Sequence, residues 1–182
     1  MQSKTKATVD DLYRVLENRK AELVNGELVL MSPTGGVPGR AAGEIYIRLD
    51  YYEQQTQRGY AFPGNVGFLV DLPHRRSFSP DAAFFVGELQ GGKFLDGVPI
   101  FAVEVRREND HGLAVEREMA AKRADYFAAG AHVVWDVDVL REQVVRVYRA
   151  NDQEQPTVYH RGERAEAEPA LPGWSMAVDE LF

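Results

Sequence analysis

Hydrophobic and polar residues follow one another along this chain in blocks that predict short helices and strands. Thr8 precedes an apolar stretch with two early aspartates, which is typical of a capped helix start. Two apolar runs flank the pair Asn25-Gly26, which predicts a tight β-hairpin. Apolar residues then recur at three- and four-residue spacing, which predicts a helix from about residue 39 to residue 58, ended by Gly59.

The rest of the chain predicts a series of strands around one further helix. The predicted strands cover residues 60–70, 82–86, 100–106, 132–137 and 144–148, with shorter runs at 157–160, 165–168 and 174–178. A helical pattern fills residues 113–129 and ends at Gly130. This order predicts one α/β domain over residues 1–182. Its central mixed sheet is flanked by helices, with an additional N-terminal hairpin and additional C-terminal strands.

Two acids stand beside hydrophobic runs that we predict to be buried strands. Asp81 follows Ser-Pro and begins the run Ala-Ala-Phe-Phe-Val, and Glu104 interrupts the run Ile-Phe-Ala-Val-Glu-Val. A carboxylate in such a place costs several kcal/mol unless a partner or a metal ion compensates it. If the two strands pair, the acids converge and form an oxygen-rich site suited to Mg²⁺ or Mn²⁺.

A lysine on the following predicted helix adds to this site. Val115, Met119 and Tyr126 form an apolar stripe at helical spacing, and Lys122 falls on the same stripe. Its ammonium group either extends past its neighbours into solvent or turns toward the acids at the strand ends. In the second arrangement it neutralises charge that develops on a phosphate during cleavage.

The composition narrows the possible classes of function. The chain contains no cysteine, which excludes disulfides and Cys-ligated zinc and fits a reducing compartment, so we expect a cytoplasmic protein. No run approaches the roughly 18 apolar residues of a membrane span, so we expect a soluble protein. The formal net charge of −7 argues against coating nucleic acid by bulk electrostatics, so a DNA contact must be local or metal-assisted.

The order and spacing of these motifs resemble a known family. The residues that carry the resemblance are Pro80-Asp81, Glu104-Val105-Arg106, and a helix with Lys122 and Tyr126 that leads into Gly130-Ala-His-Val-Val-Trp135. Together they resemble the Uma2 family of restriction endonucleases, which have the PD-(D/E)XK nuclease-like fold. The resemblance covers most of the chain, from the predicted hairpin to the closing Leu171-Pro-Gly-Trp segment, and implies a restriction endonuclease-like core.

The resemblance also implies roles for particular residues. Asp81 and Glu104 would bind Mg²⁺ or Mn²⁺, with the carbonyl oxygen of Val105 as a third ligand. Lys122 would be the catalytic lysine, displaced from the strand onto the helix. Glu27, the acid of the predicted hairpin, would complete the catalytic set.

The chain departs from the nuclease pattern directly after Glu104. Arg106 occupies the place of the usual lysine, and an arginine is always protonated, so it clamps a phosphate but does not act as a base. Arg107 stands where a serine commonly follows in this family. We expect Arg106 or Arg107 to bind a phosphate of the substrate.

Taken together, the sequence predicts a Mg²⁺-dependent endonuclease that hydrolyses DNA with metal-activated water. By analogy with small nucleases that cut both strands, we expect a homodimer. Two alternatives stay open: a nuclease-like fold that binds nucleic acid or protein without cutting, and a metal-dependent hydrolase of another phosphoester.

Each candidate residue also has a purely structural interpretation. Asp81 suits a turn after proline, Glu104 suits an ion pair with Arg106, and Lys122 suits a lysine whose stem packs on the helix. Glu27 suits an exposed hairpin acid.

Overall fold

The computed structural model describes residues 6–15, 20–89 and 91–182. The helices in these ranges are α1 (Val9–Tyr13), α2 (Gly36–Thr56) and α3 (Leu113–Ala128), and the 3₁₀ turn Val178–Leu181 lies near the C-terminus. The strands are β1 (Lys20–Val24), β2 (Glu27–Met31), β3 (Tyr60–Pro63), β4 (Phe68–Leu69), β5 (Ser77–Phe78), β6 (Ala82–Phe85), β7 (Leu95–Asp96), β8 (Phe101–Val105), β9 (Val133–Asp138), β10 (Val144–Arg149), β11 (Asp152–His160), β12 (Arg164–Glu166) and β13 (Ser175–Ala177). Within these ranges, no helix has the length and apolar character needed to cross a membrane.

The two N-terminal predictions are confirmed by their local geometry. Thr8 and Asp11 form a capping box at the start of α1. The Thr8 side chain accepts from the backbone N–H of Asp11, and the Asp11 side chain accepts from the backbone N–H of Thr8. Asn25 and Gly26 both have positive φ values, of 53° and 73°. A two-residue hairpin turn that matches the strand twist needs both residues in this region, so Asn-Gly sets the register of β1 and β2.

A six-stranded mixed sheet forms the centre of the molecule, as predicted. Its strand order is β11-β10-β9-β8-β6-β3, and every neighbouring pair is antiparallel except β8 and β9, which are parallel. The connection between these two parallel strands contains α3. This agrees with the need for a long crossover between parallel neighbours.

The two faces of the sheet pack against different helices. Phe101, Val103 and Val105 share a core with α2 and the C-terminal strands, whereas Ala102 shares a core with Tyr126 of α3. The predicted alternation of β8 is therefore confirmed, and it directs Glu104 toward the α3 side.

Some predicted boundaries are wrong. The predicted strand 60–70 is two strands in different sheets, because the chain turns at Asn65, whose φ is 71°. Helix α2 begins at Gly36 and not at about residue 39. Pro38 fits in its first turn, because backbone N–H groups there have no helical partner and proline has no N–H to leave unpaired. The left-handed residue that ends α2 is Gln57, with φ 52°, and not Gly59.

Candidate active site

Asp81 and Glu104 are brought to the same region by the pairing of β6 with β8. Ala82 lies opposite Val103, and the backbone N–H of Asp81 donates to the Val103 carbonyl at 2.9 Å. The Asp81 side chain continues this contact, because its Oδ2 accepts from the N–H of Val105 at 2.9 Å. The Asp81 carboxylate is thereby fixed beside the end of β8.

Glu104 meets Lys122 and Tyr126 of α3, so Lys122 has the second of its two possible arrangements, with its ammonium turned toward the acids. The Lys122 ammonium lies 2.8 Å from Glu104 Oε1, and the Tyr126 hydroxyl donates to the same oxygen at 2.7 Å. Tyr126 is fully buried and stacks on Phe78 with ring centroids 4.0 Å apart. The second oxygen of Glu104, Oε2, takes part in neither contact with α3.

A third acid of this site, Glu22 on β1, is absent from the sequence prediction. Its Oε1 lies 2.9 Å from the Lys122 ammonium and accepts from the N–H of Ser79 at 3.0 Å. Its Oε2 accepts from the Arg75 guanidinium at 2.6 Å. The signal was present in the sequence, because Glu22 interrupts an apolar run, Ala-Glu-Leu-Val, in the same manner as Glu104.

Strand β1 holds Glu22 in place by docking on the segment before β5. The backbone N–H of Leu23 donates to Ser77 Oγ at 2.9 Å, and the N–H of Arg76 donates to the Leu23 carbonyl at 2.9 Å. Near the turn, the N–H of Asn25 donates to the His74 carbonyl at 2.6 Å. Strand β1 is thus anchored at Leu23 and Asn25, and this fixes the neighbouring Glu22.

Lys20, also on β1, is a second residue that the sequence did not indicate. Its ammonium lies 2.8 Å from Asp81 Oδ1, and its side chain is only 8% exposed. We call Glu22, Asp81, Glu104, Lys20 and Lys122 the lysine–acid cluster.

The acids of this cluster differ in their electrostatic balance. Burial raises the pKa of Glu104, and the negative charges of Asp81 and Glu22 raise it further, while Lys122 and Lys20 oppose them incompletely. Burial also acts upward on the pKa of Glu22, but Lys122 and Arg75 outweigh it, so that the pKa is lowered. The difference arises because Glu22 has an arginine and a backbone N–H that Glu104 lacks. Glu104 is therefore the acid of this pair whose charged form is less stabilised.

The Lys122 ammonium stays protonated in this environment. Burial acts to lower the pKa of Lys122, but the charges and hydrogen bonds of Glu104 and Glu22 raise it above its usual value. Burial and the Glu104 charge together raise the pKa of Tyr126 well above the usual value, so the phenol keeps its proton. Lys122 is thus a fixed positive charge and a hydrogen-bond donor.

A cleft of about 640 Å³ gives access to these groups. Glu22, Asp81, Glu104 and Lys122 line it, and Arg107 stands at its wall. A second cavity of about 480 Å³ also borders Asp81 and is lined by Lys20, Arg107 and Asn65 among others. Asp81 and Arg107 therefore border both spaces.

The two predicted phosphate-binding arginines have different surroundings. The Arg106 side chain is 3% exposed and forms two parallel 2.7 Å hydrogen bonds to Asp136, with further contacts to Glu116. Arg123 adds a contact to Asp136 at 3.2 Å. We call Arg106, Arg123, Asp136 and Glu116 the arginine cluster. Arg107 is partly exposed and donates to the Ser32 carbonyl at 2.9 Å, which places it at the cleft rather than within a closed cluster.

The two remaining predicted site residues also have defined places. Val105 lines both cavities and donates its N–H to Asp81. Glu27 is exposed at the turn end of β2 and is not among the residues that line the cleft described above. On this hairpin it is Glu22 that contacts Lys122.

The donor set of the cleft suits a hard divalent cation in chemistry. Carboxylate oxygens of Asp81, Glu104 and Glu22 are ligands that Mg²⁺ and Mn²⁺ prefer. In the part of the chain that the structure describes, no three His, Asp or Glu side chains already form a group able to hold an ion. The ammonium groups of Lys20 and Lys122 contact these acids, so an ion that binds there would compete with two positive charges.

Comparison of the sequence and the fold with known proteins identifies the family of this chain. A search of curated proteins finds no match. A crystal structure from Anabaena variabilis, described as "a putative nuclease belonging to DUF820", matches with a TM-score of 0.76 over 96% of this chain and 97% of that one. The sequence identity is 17%, so the likeness shows the fold. A family model described as "Putative restriction endonuclease" matches residues 9–179, and the chain therefore belongs to the Uma2 family.

Proposed function

We propose that this protein is a divalent-metal-dependent endonuclease that hydrolyses phosphodiester bonds of DNA. The observation that carries the proposal is the meeting of Asp81, Glu104 and Lys122 in one cleft, from three separate elements. The raised pKa of Glu104, caused first by burial, supports it, because a bound cation would stabilise the ionised carboxylate. Membership of a family described as restriction endonucleases supports the class of reaction.

In this proposal Asp81 and Glu104 hold Mg²⁺ or Mn²⁺, and the Val105 carbonyl and Glu22 are further candidate ligands. When bound, the ion supplies Lewis-acid activation of water and polarisation of a phosphoryl oxygen. Val105 orients the Asp81 carboxylate through its N–H, and Tyr126 orients Glu104 through its hydroxyl. Both ligands are thus held by groups that keep their protons.

Lys122 and Arg107 act on the substrate in this proposal. The protonated Lys122 ammonium offsets negative charge on the phosphate, since its raised pKa makes it unsuitable as a base. Arg107 is partly exposed at the wall of the cleft and donates to a DNA phosphate. Arg106 has no such role, because its guanidinium is held by Asp136 and Glu116. Glu27 is exposed outside the cleft lining, and we propose Glu22 in its place.

Cleavage of supercoiled plasmid tests this function. We expect nicking with Mg²⁺ or Mn²⁺, none with EDTA, and loss of nicking in Asp81→Ala. Asp71→Ala is the matched control, because Asp71 is 89% exposed and pairs with Arg76 outside the cleft. Nicking by Asp81→Ala at the wild-type rate would contradict the proposal.

The same assay separates the alternatives. A wild-type protein that shifts DNA on a gel and never nicks it is a binding module, a reading favoured by the lysines that neutralise the acids and by the net charge of −7. Hydrolysis of a small phosphodiester while plasmid remains intact would indicate a hydrolase of another phosphoester.

We also propose that the active form is a cytoplasmic homodimer. The proposed site would cut one strand at a time, so a two-fold pair of chains would cut both strands of a duplex. The absence of cysteine suits a reducing compartment. Light scattering after size exclusion should give a mass of about twice 20.4 kDa, and a monomer mass in the presence of DNA would contradict the dimer.

A further inference from the structure

Lys20 is a buried cation that the reaction described above does not use. Its side chain is 8% exposed, and Asp81, which it contacts at 2.8 Å, is 16% exposed. A lysine gives up hydration and side-chain freedom to occupy such a place, so its contact with the carboxylate must compensate both costs. The pair is therefore a built feature of the cleft.

With the contact to Lys20, each oxygen of the Asp81 carboxylate has one partner. Oδ1 faces the Lys20 ammonium, and Oδ2 accepts from the N–H of Val105. The backbone donor is fixed in β8, whereas the ammonium stands at the end of a flexible stem. A divalent ion at Asp81 would therefore compete with the Lys20 ammonium for the negative charge at Oδ1.

The structure provides space for a displaced ammonium. Lys20 lines the cavity of about 480 Å³, which Asp81 borders and Lys122 does not. Polar groups of Ser32, Asn65 and Tyr46 border this cavity and offer oxygen acceptors. The lysine ammonium is compact and its donors rotate freely. It can therefore exchange one acceptor for another more easily than an arginine, whose donors have a fixed fork geometry.

We propose that Lys20 is the built-in counter-cation of Asp81, which a divalent ion displaces, and that Lys20 thereby sets the metal affinity of the site. This inference rests on the proposed metal-dependent function. Lys20 is a positioning residue in this role, since it acts through Asp81.

Calorimetric titration of Mn²⁺ into the protein without DNA tests the inference. Lys20→Met keeps the stem and removes the charge, and we expect it to bind Mn²⁺ about tenfold more tightly than wild type, or better, because the competing charge is gone. Lys20→Arg keeps the charge and should bind no more tightly than wild type. Lys93→Met makes the same change in net charge on an exposed loop and should leave the affinity unchanged.

Thermal unfolding supplies a readout that does not depend on calorimetric heats. In EDTA, Lys20→Met should unfold at a lower temperature than wild type, because Asp81 has lost its partner. Saturating Mn²⁺ should raise its unfolding temperature by more than it raises that of wild type. A purely structural role for Lys20 would lower stability without increasing the Mn²⁺ response.

The outcomes distinguish this inference from the proposed function. Equal Mn²⁺ affinity of wild type and Lys20→Met, or equally tight binding by Lys20→Arg and Lys20→Met, would overturn the inference and leave metal-dependent cleavage standing. Tighter Mn²⁺ binding by Lys20→Met in a protein that never nicks DNA would support the inference and overturn the proposed function. Failure of every variant to bind Mn²⁺ would overturn both.

Discussion

The lysine–acid cluster and the arginine cluster both join acids to cations beside the same cleft, yet they differ in geometry and in how completely each acid is neutralised. Arg106 forms two parallel bonds to Asp136, which is 1% exposed, so each carboxylate oxygen has a guanidinium donor. Lys122 instead bridges two acids with one ammonium, and a cleft of about 640 Å³ reaches it.

The pKa shifts express the same difference. Hydrogen bonds with Asp136 raise the pKa of Arg106, and hydrogen bonds with Arg106 lower that of Glu116, so the charged forms of Arg106 and Glu116 stabilise each other. The pKa of Glu104 is raised, because burial and neighbouring acids exceed the effect of the lysines. Buried ion pairs therefore do not by themselves indicate chemistry. The raised pKa of Glu104 beside the cleft is the feature that favours the proposed chemistry at the lysine–acid cluster.

The largest effect on stability should come from removing Arg106 from the arginine cluster. Arg106→Leu leaves Asp136 as a buried charge without its bidentate partner, and we expect a loss of about 3–5 kcal/mol in the free energy of unfolding, measured by urea denaturation. Arg40→Leu, at an exposed pair with Glu44, should lose less than about 1 kcal/mol. A loss below about 1 kcal/mol in Arg106→Leu would mean that the cluster is not structural.

In the lysine–acid cluster the corresponding change should affect activity rather than stability. Glu104→Gln keeps an acceptor for Tyr126 and removes a charge that burial disfavours, so the unfolding free energy should change by less than about 1 kcal/mol. Plasmid cleavage should fall at least about a hundredfold, because a metal ligand is lost. Glu154→Gln, on an exposed part of β11, serves as the control. Strong destabilisation with retained cleavage would reverse the contrast between the clusters.

The loss of Lys122 should make stability depend on pH. Lys122→Met removes the largest positive contribution at Glu104, whose pKa is already raised, so the folded state binds protons that the unfolded state releases. We expect a loss of about 2 kcal/mol near pH 8 that diminishes as the pH falls toward about 5. Urea denaturation across this range checks the sign. A loss that grows as the pH falls would contradict the assignment of Glu104 as the strained acid.

The smallest effect should be at Glu27. Glu27→Gln should leave cleavage within about twofold of wild type, whereas Glu22→Gln should lower it about tenfold because Glu22 contacts Lys122. Parallel plasmid assays compare these two acids of one hairpin. Equal losses would show that the hairpin acts as a unit and that the position of Glu22 is not decisive.

Local patterns predicted much of the fold, because turns, caps and strand alternation depend on near neighbours. Asn25-Gly26 predicted the hairpin, and the alternation in β8 predicted the face of the sheet to which Glu104 points. The stripe on α3 identified Lys122 as a candidate site residue. Boundaries failed where the backbone conformation of single residues decides them, as at Asn65 and Gln57.

The missing parts of the site depend on contacts between distant elements. Glu22 carried the same signal as Glu104, an acid inside an apolar run, and a consistent reading of that signal would have identified it. Lys20 gave no signal, because its meeting with Asp81 depends on how the hairpin docks against residues 74–77. The pairing of Arg106 with Asp136 follows from the parallel register of β8 with β9, which places Glu104 beside Asp136.

A crystal of the protein soaked with Mn²⁺ and measured at a wavelength where manganese scatters anomalously tests the central claim most directly. The account predicts an anomalous peak within coordination distance of the Asp81 and Glu104 carboxylates, with Lys20 moved away from Asp81. A site free of manganese at saturating concentration, with Lys20 still on Asp81 and the acids still neutralised by lysines alone, would contradict it.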